Sequence, residues 1–392
     1  MTVAVPPGLP YDEPAHHVNV EYYAHEGRLP VLGEPGVEYE GQMGPLYYTL
    51  AALALHATGT VEAPFAAIEV LRTLGLVLVP LLGWLTHRLA RSLGAGGLQA
   101  ALAAGLVVLN PTLLAVGSSV QNDHLSVVLG AAGTLLVIGA LREGGARRAA
   151  VAGAVIGVAV LAKVFAGVLL LGFLVALVLD RDRAVRARIA QGVAACMALV
   201  VVCGWWFLRN LSLYGDLTGA GAVGRTGATF PPLAYEGLGS VLGWGRSLIS
   251  YAFAPTEYYR NTFEAPVPVR VTAVFLTLLL VAFVVRVVVR RAKGGGGRLD
   301  PPVVFAVSSV LAMLATYAVA AWTLQAIAPR LVAVVVPLAV ALLARVARDR
   351  AGVIVLAILV TACFVLDLWL LTEVAAAHDD LGVFPWGAHD SE

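Results

Sequence analysis

The sequence predicts an all-α polytopic membrane protein, and two observations lead to this fold class. Of the 392 residues, 59% are apolar and only 13% are charged, with a mean hydropathy of +0.84. A soluble globule of this composition would lack the polar side chains needed to cover its surface. The apolar residues also form long continuous runs, whereas an outer-membrane barrel would show short alternating segments. A net charge of +1 without a basic block also excludes a nucleic-acid-binding protein.

Ten apolar runs approach the roughly 20 residues with which a helix crosses a bilayer. They cover residues 66–86, 98–116, 120–141, 149–162, 164–179, 189–208, 270–290, 302–322, 330–346 and 351–371. The fourth and fifth are short, and we interpret them as a tight pair that turns near Lys163. The predicted organisation is an extracytoplasmic loop at 1–65, six transmembrane helices at 66–208, an extracytoplasmic loop at 209–269, four transmembrane helices at 270–371 and an extracytoplasmic tail at 372–392.

The basic residues predict which side of the membrane each loop occupies. With residues 1–44 outside, the inside loops carry 17 of the 26 Lys and Arg residues, and the longer outside segments carry only eight. The positive-inside rule therefore places both termini and both long loops on the outer side. Residues 1–10 contain neither a span nor a signal peptide, so we expect either a translocated short tail or a further span before them.

The sequence predicts a helix from Glu13 to about His25 that lies at the membrane surface. Its apolar residues, which include Ala15, Val18 and Tyr22, are expected to form a single stripe. Pro14 suits the first turn of a helix and disfavours the αR region at Glu13, so Glu13 is expected to be the N-cap, and Gly27 ends the helix. Asp12 and Glu13 then have three open interpretations: a general base, a pair of metal ligands, or a plain cap, which the local pattern favours. His16 and His17 are weak metal candidates, because neighbouring helix positions point about 100° apart.

Further polar residues are expected on the same outer side. The apolar stretch 45–58 is too short to span comfortably and predicts a second interfacial or re-entrant helix. Glu40 and Gln42 precede it and can approach the pocket of Asp12, Glu40 also as a weak metal candidate.

The outer ends of the predicted spans supply three cations and three further polar candidates. Lys163, Arg209 and Arg330 are candidates for binding phosphate, with snorkelling or interfacial anchoring as the alternative for each. Asn122 and Asp123 have two interpretations: they are expected either to line a cavity or to cap a helix. Asp216 is expected either to contact substrate or to close a turn.

Three motifs together resemble the GT-C superfamily of membrane glycosyltransferases, in particular protein O-mannosyltransferases and aminoarabinose lipid A transferases. The first motif is the acidic pair in DEPAH at residues 12–16, and the second is YEGQMGPLYY at residues 39–48. The third is WWFLRN at residues 205–210, followed by YGD at residues 214–216. Weaker similarities are NDH at residues 122–124, Lys163, and PR at residues 329–330.

The resemblance implies an inverting glycosyltransferase at the outer face of a bacterial plasma membrane. Its donor would be a sugar on polyprenyl phosphate, and its acceptor a hydroxyl of a lipid, glycan or protein. In the family the first acid of the pair is the base, which corresponds to Asp12, and Glu13 would orient it or contact the acceptor. No cofactor is required, although a divalent metal is compatible with the site, and no nucleic acid is expected as a partner.

Two departures from the family pattern keep other interpretations open. Gln42, Met43 and Gly44 replace the usual His, Gln and Pro, and the transmembrane helix that usually precedes the acidic pair is not part of this sequence. A non-catalytic or truncated GT-C relative is therefore one alternative. A transporter or flippase is the other, although we find no matching pair of broken spans, which many carriers have.

Overall fold

The computed structural model describes residues 5–10, 12–223, 243, 245, 266–293, 300–324 and 329–381. These residues form helices without any strand, so the all-α fold class is confirmed. The α-helices are α1 Glu13–Glu26, α2 Leu46–Thr58, α3 Pro64–Ser92, α4 Gly97–Val108, α5 Pro111–Gly117, α6 Asp123–Glu143, α7 Ala146–Ala162, α8 Val168–Leu179, α9 Val185–Tyr214, α10 Ala220–Val223, α11 Val267–Lys293, α12 Pro301–Leu324, α13 Val336–Val346 and α14 Arg350–Leu381. Two 3₁₀ segments cover Val164–Gly167 and Pro329–Val335.

Each of the ten predicted spans coincides with helical structure. Six of the described helices are individually long and apolar enough to cross a membrane, namely α3, α6, α9, α11, α12 and α14. A seventh candidate is the pair α4 and α5, which is bent by 57°. Helices α7, α8 and α13 are shorter, so the count of ten spans stays a prediction. The tight turn expected near Lys163 is present, because Lys163 has extended backbone between α7 and the first 3₁₀ segment.

The bundle has an apolar interior and an apolar exterior, as a protein surrounded by lipid requires. Its large core includes fully buried side chains such as Leu89, Phe173 and Phe305. On the outside of α9, Val200, Val201 and Leu208 are exposed. Water would make these exposed side chains unfavourable, whereas hydrocarbon accommodates them. The chain is therefore a multi-pass membrane protein.

Arginine side chains form hydrogen bonds between helix ends on the side predicted to be cytoplasmic. Arg142 and Arg345 donate to the carbonyl oxygens of Ser92 and Leu93 at the end of α3. Arg183 donates to the last turn of α6 in the same way. Helix C-termini have carbonyl groups without intrahelical partners and a partial negative charge, so cations stabilise them. The basic residues that define the orientation therefore also have a structural role.

The first loop differs from the prediction in two respects. Asp12 is the N-cap residue of α1, and Glu13 is its first helical residue. The expected single apolar stripe is also wrong, because His16, His17 and Asn19 are as buried as Ala15 and Tyr22. Helix α1 packs against α2 and shares a buried cluster with it instead of exposing a polar face. Polar side chains of α1 are therefore buried on several sides of the helix. The predicted second helix is confirmed as α2.

Close packing between α7 and α9 depends on a small residue at position 153. A Cβ atom at Gly153 would overlap the backbone carbonyl of Ala195 on α9. Because the overlapping atoms belong to the backbone, the clash could be relieved only by shifting a helix. Small residues allow transmembrane helices to approach closely, and van der Waals contact is the main attraction between such helices.

We expect Gly153→Ala to destabilise the protein by about 1–3 kcal/mol, because the added methyl group overpacks this contact. Thermal unfolding in detergent would measure the effect. Gly139→Ala on α6 is the matched control, since a Cβ atom there meets nothing within 4 Å. Equal unfolding temperatures for the two variants would contradict the proposed packing.

Candidate active site

Glu13 and Arg72 form a buried ion pair that attaches the first loop to α3. The Arg72 Nε and Nη2 atoms donate to the two Glu13 carboxylate oxygens over 2.8 and 2.6 Å. The Glu13 oxygens also accept from the backbone N–H groups of Gly8 and Val120, over 3.0 and 2.9 Å. Arg72 donates further to the carbonyl oxygens of Val5 and Pro6. Both Glu13 oxygens are thus saturated by structural contacts.

Asp12 has different partners, although it is the neighbouring residue. The Arg330 guanidinium contacts Asp12 Oδ2, and the Tyr39 hydroxyl donates to Asp12 Oδ1 over 2.7 Å. The Asp12 and Arg330 side chains are each only 7% exposed, so the ion pair lies away from bulk solvent. The two acids of the motif therefore separate into one that anchors the loop and one that faces a cation from the far end of the chain.

Lys163 joins the same group of charges through Asp123. Its Nζ atom lies 2.6 Å from Asp123 Oδ2 and 3.4 Å from Asn122 Oδ1, and it is buried. The snorkelling interpretation of Lys163 is therefore wrong. Arg330 Nε is 3.8 Å from the same Asp123 oxygen, which links the two ion pairs. We refer to Asp12, Asp123, Lys163 and Arg330 as the charge cluster.

Asn122 does not cap α6 with its side chain. It is the N-cap residue by position, but its side chain makes no capping hydrogen bond. The Asn122 amide nitrogen donates instead to the Met43 sulfur over 3.2 Å, and Asn122 Oδ1 accepts from Lys163 Nζ. Met43 is one of the positions where the sequence departs from the family pattern, and it lies against the charge cluster.

Glu40 and His16 are buried beside Asp12. His16 Nε2 lies 3.8 Å from Glu40 Oε1, and the Tyr48 hydroxyl lies 2.8 Å from His16 Nδ1. Burial raises the pKa of Glu40 to about 8, with Lys163 lowering it and Asp123 raising it. Burial, and secondly the charge of Lys163, lower the pKa of His16 well below its usual value. Both side chains are therefore neutral near pH 7.

Asp12, His16 and Glu40 also form a set of atoms with metal-ligand geometry. One ligand atom from each lies within 4.8 Å of the others. The neutral imidazole is the form that ligates metal, and Glu40 Oε2 has no hydrogen-bond partner among the described residues. Two carboxylates and one imidazole are a donor set that suits a divalent cation such as Zn²⁺. His17 lies outside this set and pairs with Glu21 at 3.6 Å.

The remaining predicted site residues connect loops. The Gln42 backbone oxygen accepts from the Trp206 and Asn210 side chains, over 3.3 and 3.2 Å. Arg209 donates to the Pro30 carbonyl over 2.7 Å and lies over the Trp206 ring, so the end of α9 holds the first loop in place. Substrate contacts of Gln42 and Arg209 remain predictions.

Asp216 closes a turn, as one of its two interpretations expected. Its carboxylate accepts from the backbone N–H groups of Thr218, Gly219 and Gly221. Gly215, just before it, has a φ of 79° and ends α9 in the left-handed region. A substrate contact at Asp216 also remains a prediction.

Sequence reasoning missed Arg72 and Tyr39. Arg72 lies inside the predicted span 66–86, and an isolated charge in an apolar helix is expensive and normally has a partner. That signal could have identified it. Nothing in the sequence singles out Tyr39 among the 12 tyrosines, because its role depends on the fold that brings it to Asp12.

The fold and this site define a class, the multi-pass membrane proteins with the GT-C fold, and the resemblance inferred from the motifs is confirmed. The chain is similar to ArnT from Cupriavidus metallidurans bound to undecaprenyl phosphate, with a TM-score of 0.59 and 12% identity over 97% of this chain and 76% of that one. It is also similar to the Archaeoglobus fulgidus oligosaccharyltransferase in complex with Zn and sulfate, with a TM-score of 0.57 and 14% identity over 95% of this chain. The chain spans about half of that protein, since 49% of it is covered.

Within this class, residues 45–207 match the sequence model of the dolichyl-phosphate-mannose-protein mannosyltransferase family. Another structure of the Archaeoglobus fulgidus protein, AglB in complex with an inhibitory peptide and a dolichol-phosphate, matches with a TM-score of 0.54 and 14% identity over 94% of this chain and 52% of that one. No curated protein sequence matches the chain significantly.

We expect Glu13→Gln to destabilise the protein strongly, by about 3–5 kcal/mol, because it leaves the buried Arg72 charge without its counter-ion. Thermal unfolding would measure the change. Glu34→Gln is the matched control, because Glu34 pairs with Arg28 in the same loop at 2.8 Å but with the arginine half exposed, and such surface pairs contribute only about 0–1 kcal/mol. Similar losses in the two variants would show that Glu13 does not anchor the loop.

Proposed function

We propose that the protein is an inverting glycosyltransferase that moves a sugar from a polyprenyl-phosphate donor to an acceptor hydroxyl at the extracytoplasmic face of a bacterial plasma membrane. The observation that carries the proposal is the charge cluster at one end of the bundle. In it Asp12 on the first loop pairs with Arg330, and Asp123 links Arg330 to Lys163. Such a site combines a base for the acceptor with cations for a phosphate leaving group. The GT-C fold and the bound lipid phosphates of ArnT and AglB support the same chemistry.

The proposed reaction needs one carboxylate. The acceptor oxygen attacks the anomeric carbon, and the bond from this carbon to the phosphate oxygen breaks. The acceptor proton goes to Asp12, and the bonding electron pair leaves with the phosphate. Phosphate is a good leaving group and needs no general acid, so a single base on the opposite face of the sugar is sufficient, and the configuration inverts.

Asp12 is better suited than Glu13 to be this base. Both Glu13 oxygens are occupied by Arg72 and two backbone N–H groups, so Glu13 cannot accept a proton without breaking the anchor of the loop. The Asp12 oxygens instead contact two side-chain groups, namely one guanidinium and one tyrosine hydroxyl. In this proposal Glu13 is a positioning residue that acts through the helix start it holds.

Lys163 and Arg330 are the proposed phosphate ligands. Both are buried, so their charges are poorly screened and act strongly on a phosphate that gains negative charge as the bond breaks. An arginine can in addition bind two phosphate oxygens at once. Asn122 is placed beside Lys163 and would orient its ammonium group. The acceptor hydroxyl can come from a lipid, a glycan or a protein.

The location of the site supports an extracytoplasmic reaction. Asp123 begins α6 and Arg142 lies near its end, and a helix of 21 residues is about 30 Å long. The charge cluster and the arginine-rich ends of α3 and α6 are therefore on opposite sides of the membrane. Because the arginine-rich side is expected to be cytoplasmic, the site faces outwards.

A divalent cation would be held by Asp12, His16 and Glu40. When bound, it would supply Lewis-acid stabilisation of phosphate charge in addition to the two protein cations. The proposed proton transfer to Asp12 does not require it.

If Asp12, His16 and Glu40 hold a metal, Zn²⁺ should raise the unfolding temperature of the wild-type protein, because a ligand that binds only the folded state stabilises it. Glu40→Gln removes one ligand and should abolish the rise. Differential scanning fluorimetry with and without a chelator tests this without an activity assay. A rise of equal size in wild type and Glu40→Gln would place the metal elsewhere.

Asp12→Asn should lower kcat by about 10²–10⁴, because it removes the general base while preserving the shape of the side chain. The measurement is transfer of labelled sugar from a panel of polyprenyl-phosphate sugars in membranes, with unfolding temperature recorded in parallel. Asp349→Asn is the matched control, because it breaks another Asp–Arg pair, with Arg286 on the cytoplasmic side. Activity of Asp12→Asn within about threefold of wild type would exclude Asp12 as the base.

A further inference from the structure

Arg330 contacts two carboxylates that have different alternative partners. Its guanidinium is paired with Asp12, and its Nε atom lies 3.8 Å from Asp123. Asp123 already has Lys163 at 2.6 Å, supported by Asn122 at 3.4 Å from the same Nζ atom. Among the described residues, Arg330 is the only cation that contacts the Asp12 carboxylate. Arg330 is therefore needed at Asp12 but is dispensable at Asp123.

The charge cluster is electrically balanced. Two carboxylates, Asp12 and Asp123, face two cations, Lys163 and Arg330, and all four side chains are buried. A phosphodiester that enters such a site brings one negative charge without a counter-ion. A buried anion without a cation is very unfavourable, so the phosphate competes with Asp12 and Asp123 for these two cations.

The contact with Arg330 also occupies the Asp12 carboxylate. The guanidinium contacts Oδ2, while the Tyr39 hydroxyl donates to Oδ1. An acceptor hydroxyl that approaches Asp12 must therefore compete with one of these two donors.

We infer that Arg330 is a latch with two alternative partners: it pairs with Asp12 when no lipid phosphate is bound and transfers to the phosphate of the donor. Only the donor-loaded protein then has an Asp12 oxygen available for the acceptor proton. Productive binding is consequently ordered, with the donor before the acceptor. This inference rests on the proposed function and adds to it a mechanism by which donor binding activates the base.

The latch makes an unusual prediction about affinity. If Asp12 and the phosphate compete for Arg330, removing the Asp12 charge should strengthen lipid-phosphate binding. We expect Asp12→Asn to bind polyprenyl phosphate about tenfold more tightly than wild type, the effect of losing one competing charge-assisted contact. Arg330→Met should bind it about tenfold more weakly. Microscale thermophoresis of the full chain in detergent, with polyprenyl phosphate as the probe, measures both.

A double-mutant cycle separates the latch from a general electrostatic effect. Removing a negative charge favours any nearby anion, even if Arg330 never moves. Under the latch, most of the gain from Asp12→Asn is lost when Arg330 is already methionine, because there is no cation left to release. Neutral polyprenol is the second control, and neither substitution should change its affinity. If Arg330→Met does not fold, Arg330→Gln replaces it in the same cycle.

Each outcome decides between the proposals. A tenfold gain that is present only with Arg330 supports the latch. A gain of equal size in both backgrounds, or no gain in the wild-type background, overturns the latch and leaves the proposed function standing. If Arg330→Met binds polyprenyl phosphate as well as wild type, Arg330 is not a phosphate ligand and the latch is excluded. Absence of binding by wild type overturns both the latch and the proposed lipid donor.

Discussion

The buried ion pair between Glu13 and Arg72 is the constraint on which the site depends. It attaches the start of α1 to a membrane-spanning helix, and it also holds the Gly8 and Val120 backbones and the carbonyls of Val5 and Pro6. A charged residue in an apolar helix is tolerated only when it is paired with an opposite charge, so Arg72 requires a carboxylate. Because Glu13 is that carboxylate, the preceding residue, Asp12, is directed to the other side and towards Arg330.

The second ion-pair network has the opposite character. Glu13 and Arg72 satisfy each other and the backbone around them, which makes their arrangement rigid. Asp12, Asp123, Lys163 and Arg330 share contacts, and Arg330 reaches two acids at once. A network with shared partners can rearrange when another charge enters, whereas a saturated pair cannot. Two consecutive residues therefore belong to different networks, Glu13 to a saturated pair and Asp12 to a cluster with shared contacts.

Several of the sequence-based expectations concern local features, and those agree well with the structure. The ten apolar runs all coincide with helical structure, and α2 and the turn at Lys163 lie where they were expected. Hydropathy and turn residues act over short stretches of chain, so they can be recognised without knowing the fold. The expectations about helix faces were less successful. α1 has no single apolar stripe, because it is covered on several sides and buries His16, His17 and Asn19.

The sequence by itself determined the class of protein, because composition and hydropathy are properties of the chain. It also predicted the spans, the orientation and the residue types of the site. It also identified Asp12, Lys163 and Arg330 as candidates. The partners were decided only by the tertiary structure: Asp12 with Arg330, Glu13 with Arg72, and Tyr39 with Asp12. Local pattern treats Asp12 and Glu13 as nearly equivalent. They differ because folding presents each to a different cation, and long-range pairing of this kind has no signature in a single sequence.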